Sequence, residues 1–121
     1  MQITAWLDWE RGYLGDRHRD LAWTMTSTYG QTASDGTFLV AGLMPREEFL
    51  GGYELASGLT VDEDRLRYFQ VLNYYQMMVV GVASAYRVMR LGRTHQDVLL
   101  PWIEAVVHAV GADLLAAMEE A

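Results

Sequence analysis

Residues 60–92 read TVDEDRLRYFQVLNYYQMMVVGVASAYRVMRLG, and this stretch decides the fold class. Thr60 and Glu63 have the Thr-x-x-Glu spacing of a capping box, in which two side chains satisfy free N–H groups at a helix start. Leu66, Phe69 and Leu72 then recur at helical spacing, with Arg65 and Arg67 on another face. From Tyr74 to Tyr86 the stretch is apolar nearly all round, the pattern of a central buried helix. Gly92 supplies a stop. One long helix is therefore predicted from about Val61 to Leu91, and a chain built around it is mainly α.

Shorter elements flank it. Pro45 suits the first turn of a helix, and Glu47 and Glu48 suit its positive end. That helix is predicted to run to Ala56 and stop at Gly58. Gly51-Gly52 inside it marks close helix packing or a weak spot. A last helix is predicted near Thr94, with Asp97 as a weaker cap. Pro101 kinks or restarts it, and Trp102, Val106, Val110 and Leu114 keep the helical period. Towards the front, residues 17–28 read as a helix entered through a Gly15-Asp16 turn, and residues 29–37 as a loop. Residues 2–7 alternate weakly and read as a short N-terminal β-strand. A strand needs a neighbour for its backbone groups, so this edge is expected to be frayed, covered or paired with another chain. The whole is expected to be a single domain, residues 1–121, without internal repeats.

Composition bounds the function. Half of the residues are apolar (51%), which argues for a packed core and against disorder. The net charge of −7 argues against non-specific nucleic-acid or anionic-membrane binding. There is no cysteine, hence neither a disulfide framework nor a zinc-thiolate site. No basic n-region followed by an apolar run opens the sequence, so no signal peptide is expected. The apolar stretch around Met77–Ala85 is well short of the ~18–20 residues a membrane span needs. A cytoplasmic location is the expectation.

The chemistry-bearing residues lie in residues 3–23, ITAWLDWERGYLGDRHRDLAW. The apolar strand delivers Asp8 and Glu10 to its own end. Carboxylates there are badly solvated unless a cation meets them. Mg²⁺ carrying nucleotide phosphates is a usual hard partner for such oxygens. A turn at Gly15-Asp16 and a helix start at Asp20-Leu21-Ala22 follow.

This segment resembles the aminoglycoside phosphotransferase and choline kinase-like family, which has the protein kinase-like fold. The family pattern is an apolar strand, then Asp-Trp-Glu or Asp-Phe-Gly, then Gly-Asp-Pro, then Asp-Leu-Ala. Here it reads Leu7-Asp8-Trp9-Glu10, Gly15-Asp16-Arg17 and Asp20-Leu21-Ala22, with Arg17 in place of proline. Order and spacing match over about twenty residues, and the rest of the chain matches only in its helical style. The resemblance implies the helical C-terminal lobe of a kinase-like fold, from an ATP- and Mg²⁺-dependent small-molecule phosphotransferase. In the family the nucleotide lies between two lobes, and a lysine of the first lobe holds its phosphates. A His-Gly-Asp catalytic loop ending in Asn precedes the Asp-Trp-Glu strand. Here Asp8 comes seven residues after Met1, and all nine basic residues are arginine. The expectation is a C-terminal portion that is inactive alone and binds neither Mg²⁺ nor ATP by itself.

On that resemblance Asp8 is the Mg²⁺ ligand, bridging the β- and γ-phosphates. Its bland reading is an exposed Asp at a strand-to-turn junction. Glu10 is a supporting acid, a substrate contact or a solvated turn residue. Asp16 stabilises the turn. Asp20 looks back to brace the backbone of the catalytic loop, or is an ordinary first-turn acid; if buried, it would need Arg17 or Arg19 as a partner. His18-Arg19-Asp20 imitates the start of a protein-kinase catalytic loop, but Met25 stands where that loop has Asn and the triplet follows the Asp-Trp-Glu strand. His18 and His95 read as surface residues at helix starts and His108 as partly packed, with no ligand pair among them. The aromatic and methionine group that includes Tyr74, Tyr75 and Met78 reads as core or as the wall of a substrate pocket. The alternative function is a non-catalytic helical binding or homo-oligomerisation module. The expected partners are a second copy, in a homodimer, or the N-terminal lobe.

Overall fold

The computed structural model describes residues 4–5, 12, 14–91 and 100–119. The described residues are mainly helical. They form α1 (Arg17–Thr24), α2 (Arg46–Ser57), α3 (Glu63–Leu91) and α4 (Leu100–Glu119), with a small sheet of β1 (Gln31–Thr32), β2 (Phe38–Val40) and β3 (Met44–Pro45). The sheet is an antiparallel meander in chain order, pairing Gln31 with Leu39 and Val40 with Met44.

Turn chemistry makes the meander. The Asp35 carboxylate accepts the Thr37 N–H, and Gly36 takes a φ of 88°. Ala41 (φ 51°) and Gly42 (φ 72°) are the central residues of the second turn, closed by Leu43 N–H donating to the Val40 carbonyl. Two positive φ angles in succession match the right-handed strand twist of a hairpin. Residues 29–37, expected as loop, therefore contain a strand and half of a hairpin. Strands this short carry no readable alternation.

Several boundaries differ from expectation for local reasons. The expected strand at 2–7 lies mostly outside the described residues, and Thr4 and Ala5 carry no regular element. The first helix ends at Thr24 rather than 28, because Met25 caps it and a run of turns follows. The long helix is capped by Asp62, not Thr60. Asp62 Oδ1 accepts the N–H groups of Asp64 and Arg65 at 3.1 Å. Gly58, at φ 69°, ends α2 as expected. Gly51 and Gly52 face open space rather than a packed neighbour. The close helix approach is at Gly81, where an added Cβ would collide with a Val107 methyl. The described part of α4 begins at Leu100, with Pro101 in its first turn; Thr94 and Asp97 lie outside the described residues.

α3 is the axis of the fold. α1 and α4 pack on it. One apolar cluster joins Leu21, Ala22, Met25, Val40, Leu50 and Leu66. A second, further along, joins Tyr74, Val110 and Ala117, with Val71, Met77, Met78 and Leu114 against them. The stretch from Tyr74 to Tyr86 is not buried all round. Tyr75, Val79, Val80, Val82 and Tyr86 are exposed, because α1 and α4 cover only two faces of the helix.

Gly51→Ala and Gly52→Ala should each raise stability by about 0.5–1 kcal/mol, since a methyl there meets nothing and helix propensity improves. Leu66→Ala should lower it by about 2–5 kcal/mol, because Leu66 is only 1% exposed. Urea denaturation followed by circular dichroism checks both.

Candidate functional site

Asp16 is the residue around which the described part of the motif is built. Its backbone is extended, and its side chain caps α1 by accepting the His18 N–H at 3.0 Å. The same oxygen, Oδ1, lies 2.6 Å from His18 Nδ1. The other, Oδ2, accepts from Arg65 at 2.9 Å. These contacts pull the Asp16 carboxyl down to about 2 from an ordinary 3.8, led by the His18 backbone N–H and then by its ring.

His18 is buried, at 1% exposure, and not on the surface as expected. The Asp62 N–H donates to its Nε2 at 3.0 Å. An Nε2 that accepts carries no proton, so the proton of the neutral ring is on Nδ1 and points at Asp16. The imidazole thus joins the cap of α1 to the cap of α3. Arg65 closes the loop, lying 3.6 Å from Asp62 and bonded to Asp16.

Two further arginines fix α1. Arg17 donates to the Thr60 carbonyl at 2.6 Å, a tie that proline at this position could not make. Arg19 donates to Gln76 at 2.6 Å, and its own carbonyl accepts from the buried Asn73 at 3.0 Å. The end of α1 is tied as well: the Ser27 N–H donates to the Tyr74 hydroxyl at 3.3 Å, and the Ser27 hydroxyl donates to Asp113 of α4.

So held, α1 turns Leu21 and Ala22 into the core and leaves Asp20 exposed in the first turn. The condition under which Asp20 would need Arg17 or Arg19 does not arise. Asp8, Glu10 and His95 lie outside the described residues. His108 is exposed rather than partly packed. Among the described residues no group of three or more His, Asp or Glu could hold a metal ion. Asp16 has both oxygens engaged, and Asp20 is a single carboxylate. The residues that the resemblance assigns to Mg²⁺, Asp8 and Glu10, are not among the described ones, and no step is derived through Mg²⁺ or its nucleotide.

Tyr74, Tyr75 and Met78 differ in their settings. Tyr74 is buried under Ser27, Tyr75 is 57% exposed, and Met78 lines a groove beside Gly111 of α4. A different cavity, of about 260 Å³, opens between the end of α1, α3 and α4. Trp23, Tyr29, Gln76, Met77 and Trp102 contribute to its walls. Trp23 and Tyr29 come within 6.0 Å of each other only because the turn at 25–29 folds the chain back. Their separation in sequence gave no such signal.

Comparison of the chain with family models, with curated proteins and with solved structures finds no match.

The depressed carboxyl of Asp16 sets a pH dependence. Its contribution is fully present above the unfolded value of 3.8 and is lost as pH falls through about 2. Asp16→Asn should therefore destabilise the protein at pH 7, with the difference from wild type shrinking between about pH 4 and 2. Urea denaturation across that range checks it. His18→Ala should cost about 2–4 kcal/mol, combining a buried void with an Asp62 N–H left without its acceptor.

Proposed function

We propose that this chain is the helical C-terminal portion of an ATP- and Mg²⁺-dependent small-molecule phosphotransferase of the aminoglycoside or choline kinase type, without activity on its own. The observation that carries the reading is the arrangement of Asp16 and Asp20 on α1. The Gly-Asp position caps the helix, Leu21 and Ala22 are buried, and Asp20 is exposed one turn on. The exposure of this first-turn acid supports the role that the resemblance gives Asp20, accepting backbone N–H groups of the catalytic loop.

On this reading Asp8 is the metal ligand and Glu10 supports it. Phosphoryl transfer rests on positioning and on charge neutralisation by Mg²⁺. One carboxylate, without further ligands and the nucleotide phosphates, is a poor Mg²⁺ site. The chain alone accordingly holds neither Mg²⁺ nor ATP, and its other half is an N-terminal lobe carrying a lysine and a His-Gly-Asp loop. The acceptor substrate is a small molecule and the setting cytoplasmic. Among the described residues no helix is long and apolar enough to cross a membrane.

Two measurements test this. DNA upstream of codon 1 should continue in frame and encode the lysine-bearing lobe and its loop. The longer chain should then hydrolyse or transfer the γ-phosphate of ATP, and Asp8→Asn in it should lower kcat by at least about a thousandfold, the scale of losing a main charge-stabilising group. Turnover of Mg-ATP by the 121-residue chain alone would overturn the reading.

A second reading is favoured by a separate observation. Tyr75, Val79, Val82, Tyr86 and Met89 of α3 and Leu115 and Met118 of α4 are all exposed. An apolar surface of this extent marks an interaction site. The chain is then a non-catalytic helical module that binds a partner or a second copy of itself.

A further inference from the structure

The exposed residues of α3 form a second seam with its own period. Tyr68, Leu72, Tyr75, Val79, Val82 and Tyr86 follow one another in alternating steps of four and three. That is the 3.5-residue repeat of a helix built to pack lengthwise on another helix. Five of the six are between 48% and 63% exposed, and Leu72 is half-buried. Val82 and Tyr86 border a groove against Ile103 and Val107 of α4, and the main contacts of α1 and α4 fall on other faces of α3. α1 meets Leu66, Asn73 and Gln76, and α4 meets Tyr74, Met78 and Gly81.

The seam is its own complement. Reflected about position 77, Tyr68 comes level with Tyr86, Leu72 with Val82 and Tyr75 with Val79. Each layer then sets one seam type against the other, as an antiparallel helix pair requires. A two-fold interface needs this reciprocity: residue i meets j while j meets i. The two ends of α3 differ in charge: Glu63 and Asp64 lie in its first turn and Arg90 in its last, so an antiparallel pair sets the end bearing those acids beside the end bearing Arg90. A parallel pair would set Arg90 beside Arg90. Arg87 and Arg90 make no ion pair among the described residues.

The surface is also sizeable. A fully covered tyrosine buries about 150–250 Å². Three half-exposed tyrosines therefore offer roughly 300 Å² per copy, and Val79, Val82, Leu72 and Met89 extend it towards the ~800 Å² per partner of a standard interface.

We propose that α3 is the dimerisation helix of this protein, pairing antiparallel with α3 of a second copy through the Tyr68–Tyr86 seam with its two-fold axis at position 77. This rests on the second reading above and adds the partner, the surface and the register.

The chain contains no cysteine, so introduced ones report cleanly. Sedimentation of the 121-residue chain at tens of micromolar should give a dimer. Val79→Asp should weaken self-association by more than about tenfold, since it buries an unpaired carboxylate in the seam, with helical circular dichroism unchanged. Under mild oxidation, an equimolar mixture of Tyr75→Cys and Val79→Cys chains should form a mixed disulfide-linked dimer, in preference to either chain joining itself. A monomer at that concentration overturns this proposal and leaves of the second reading only the binding of a different partner. A dimer that survives Val79→Asp, or that gives no mixed disulfide, leaves self-association standing and overturns the seam and its register.

Discussion

One imidazole connects the two halves of this fold. His18 donates from Nδ1 to the carboxylate that caps α1 and accepts at Nε2 from the backbone of the residue that caps α3. Asp16 and Asp62 are far apart in sequence, and their helices start side by side because a planar ring of fixed width is shared between them. The ring can do this only in one tautomer, and only while neutral. Burial at 1% exposure strengthens both bonds and makes either one costly to leave unmade. Arg65 adds a bridge at the solvent edge, between the same two acids, where its charge is less costly to hold.

The orientation of α1 follows from this joint. With its start tied through His18 and Arg17 and its end tied through Ser27, the helix has no freedom to roll. Leu21 and Ala22 must then face the Leu50 and Leu66 cluster, and Asp20 must face outward. The functional reading depends on this one rotational setting. An acid that is to brace a neighbouring loop has to be free of its own domain's arginines, and Asp16, not Asp20, is the acid that takes Arg65. Arg17, which departs from the proline of the resembled pattern, gains a carbonyl contact across the fold instead of a rigid turn.

The long-range parts of this design were poorly legible in the sequence, and the local parts well. Helix α2, with its proline entry and glycine exit, and the extent of α3 could be read because caps and apolar period act within a few residues. The cap of α3 lies two positions beyond the Thr60 that the capping-box spacing predicts. Thr60 has the right spacing to Glu63, but Asp62 sits closer to the free N–H groups, and the Thr60 carbonyl is engaged by Arg17. His18 was read as a surface residue because it lies in a polar run, Asp16 to Asp20; both partners of its ring become visible only when residue 62 is brought alongside. The sheet was missed because strands of two or three residues offer no alternation, though Asp35-Gly36 and Ala41-Gly42 mark its turns.

The all-round apolar character of α3 and its one-sided burial are two facts about the same helix. Val71, Tyr74, Met78 and Gly81 repeat at the 3.5-residue period and face α4; the exposed seam repeats at the same period on a neighbouring face. The two differ in side-chain size. Towards α4 the row includes Gly81, so the backbones approach until Val107 fills the space where a Cβ would be. The outer row has no residue smaller than valine and has tyrosine at both ends. A helix laid on it must stand towards the wide end of the usual 8–10 Å range of interaxial distances. The tyrosine hydroxyls can then reach water at the rim while the rings are covered. A row meant for permanent solvent would gain nothing from that geometry, and it would leave apolar area exposed at about 25 cal/mol per Å². Two unlike seams on one helix are what a chain needs when it packs once against itself and once against something else.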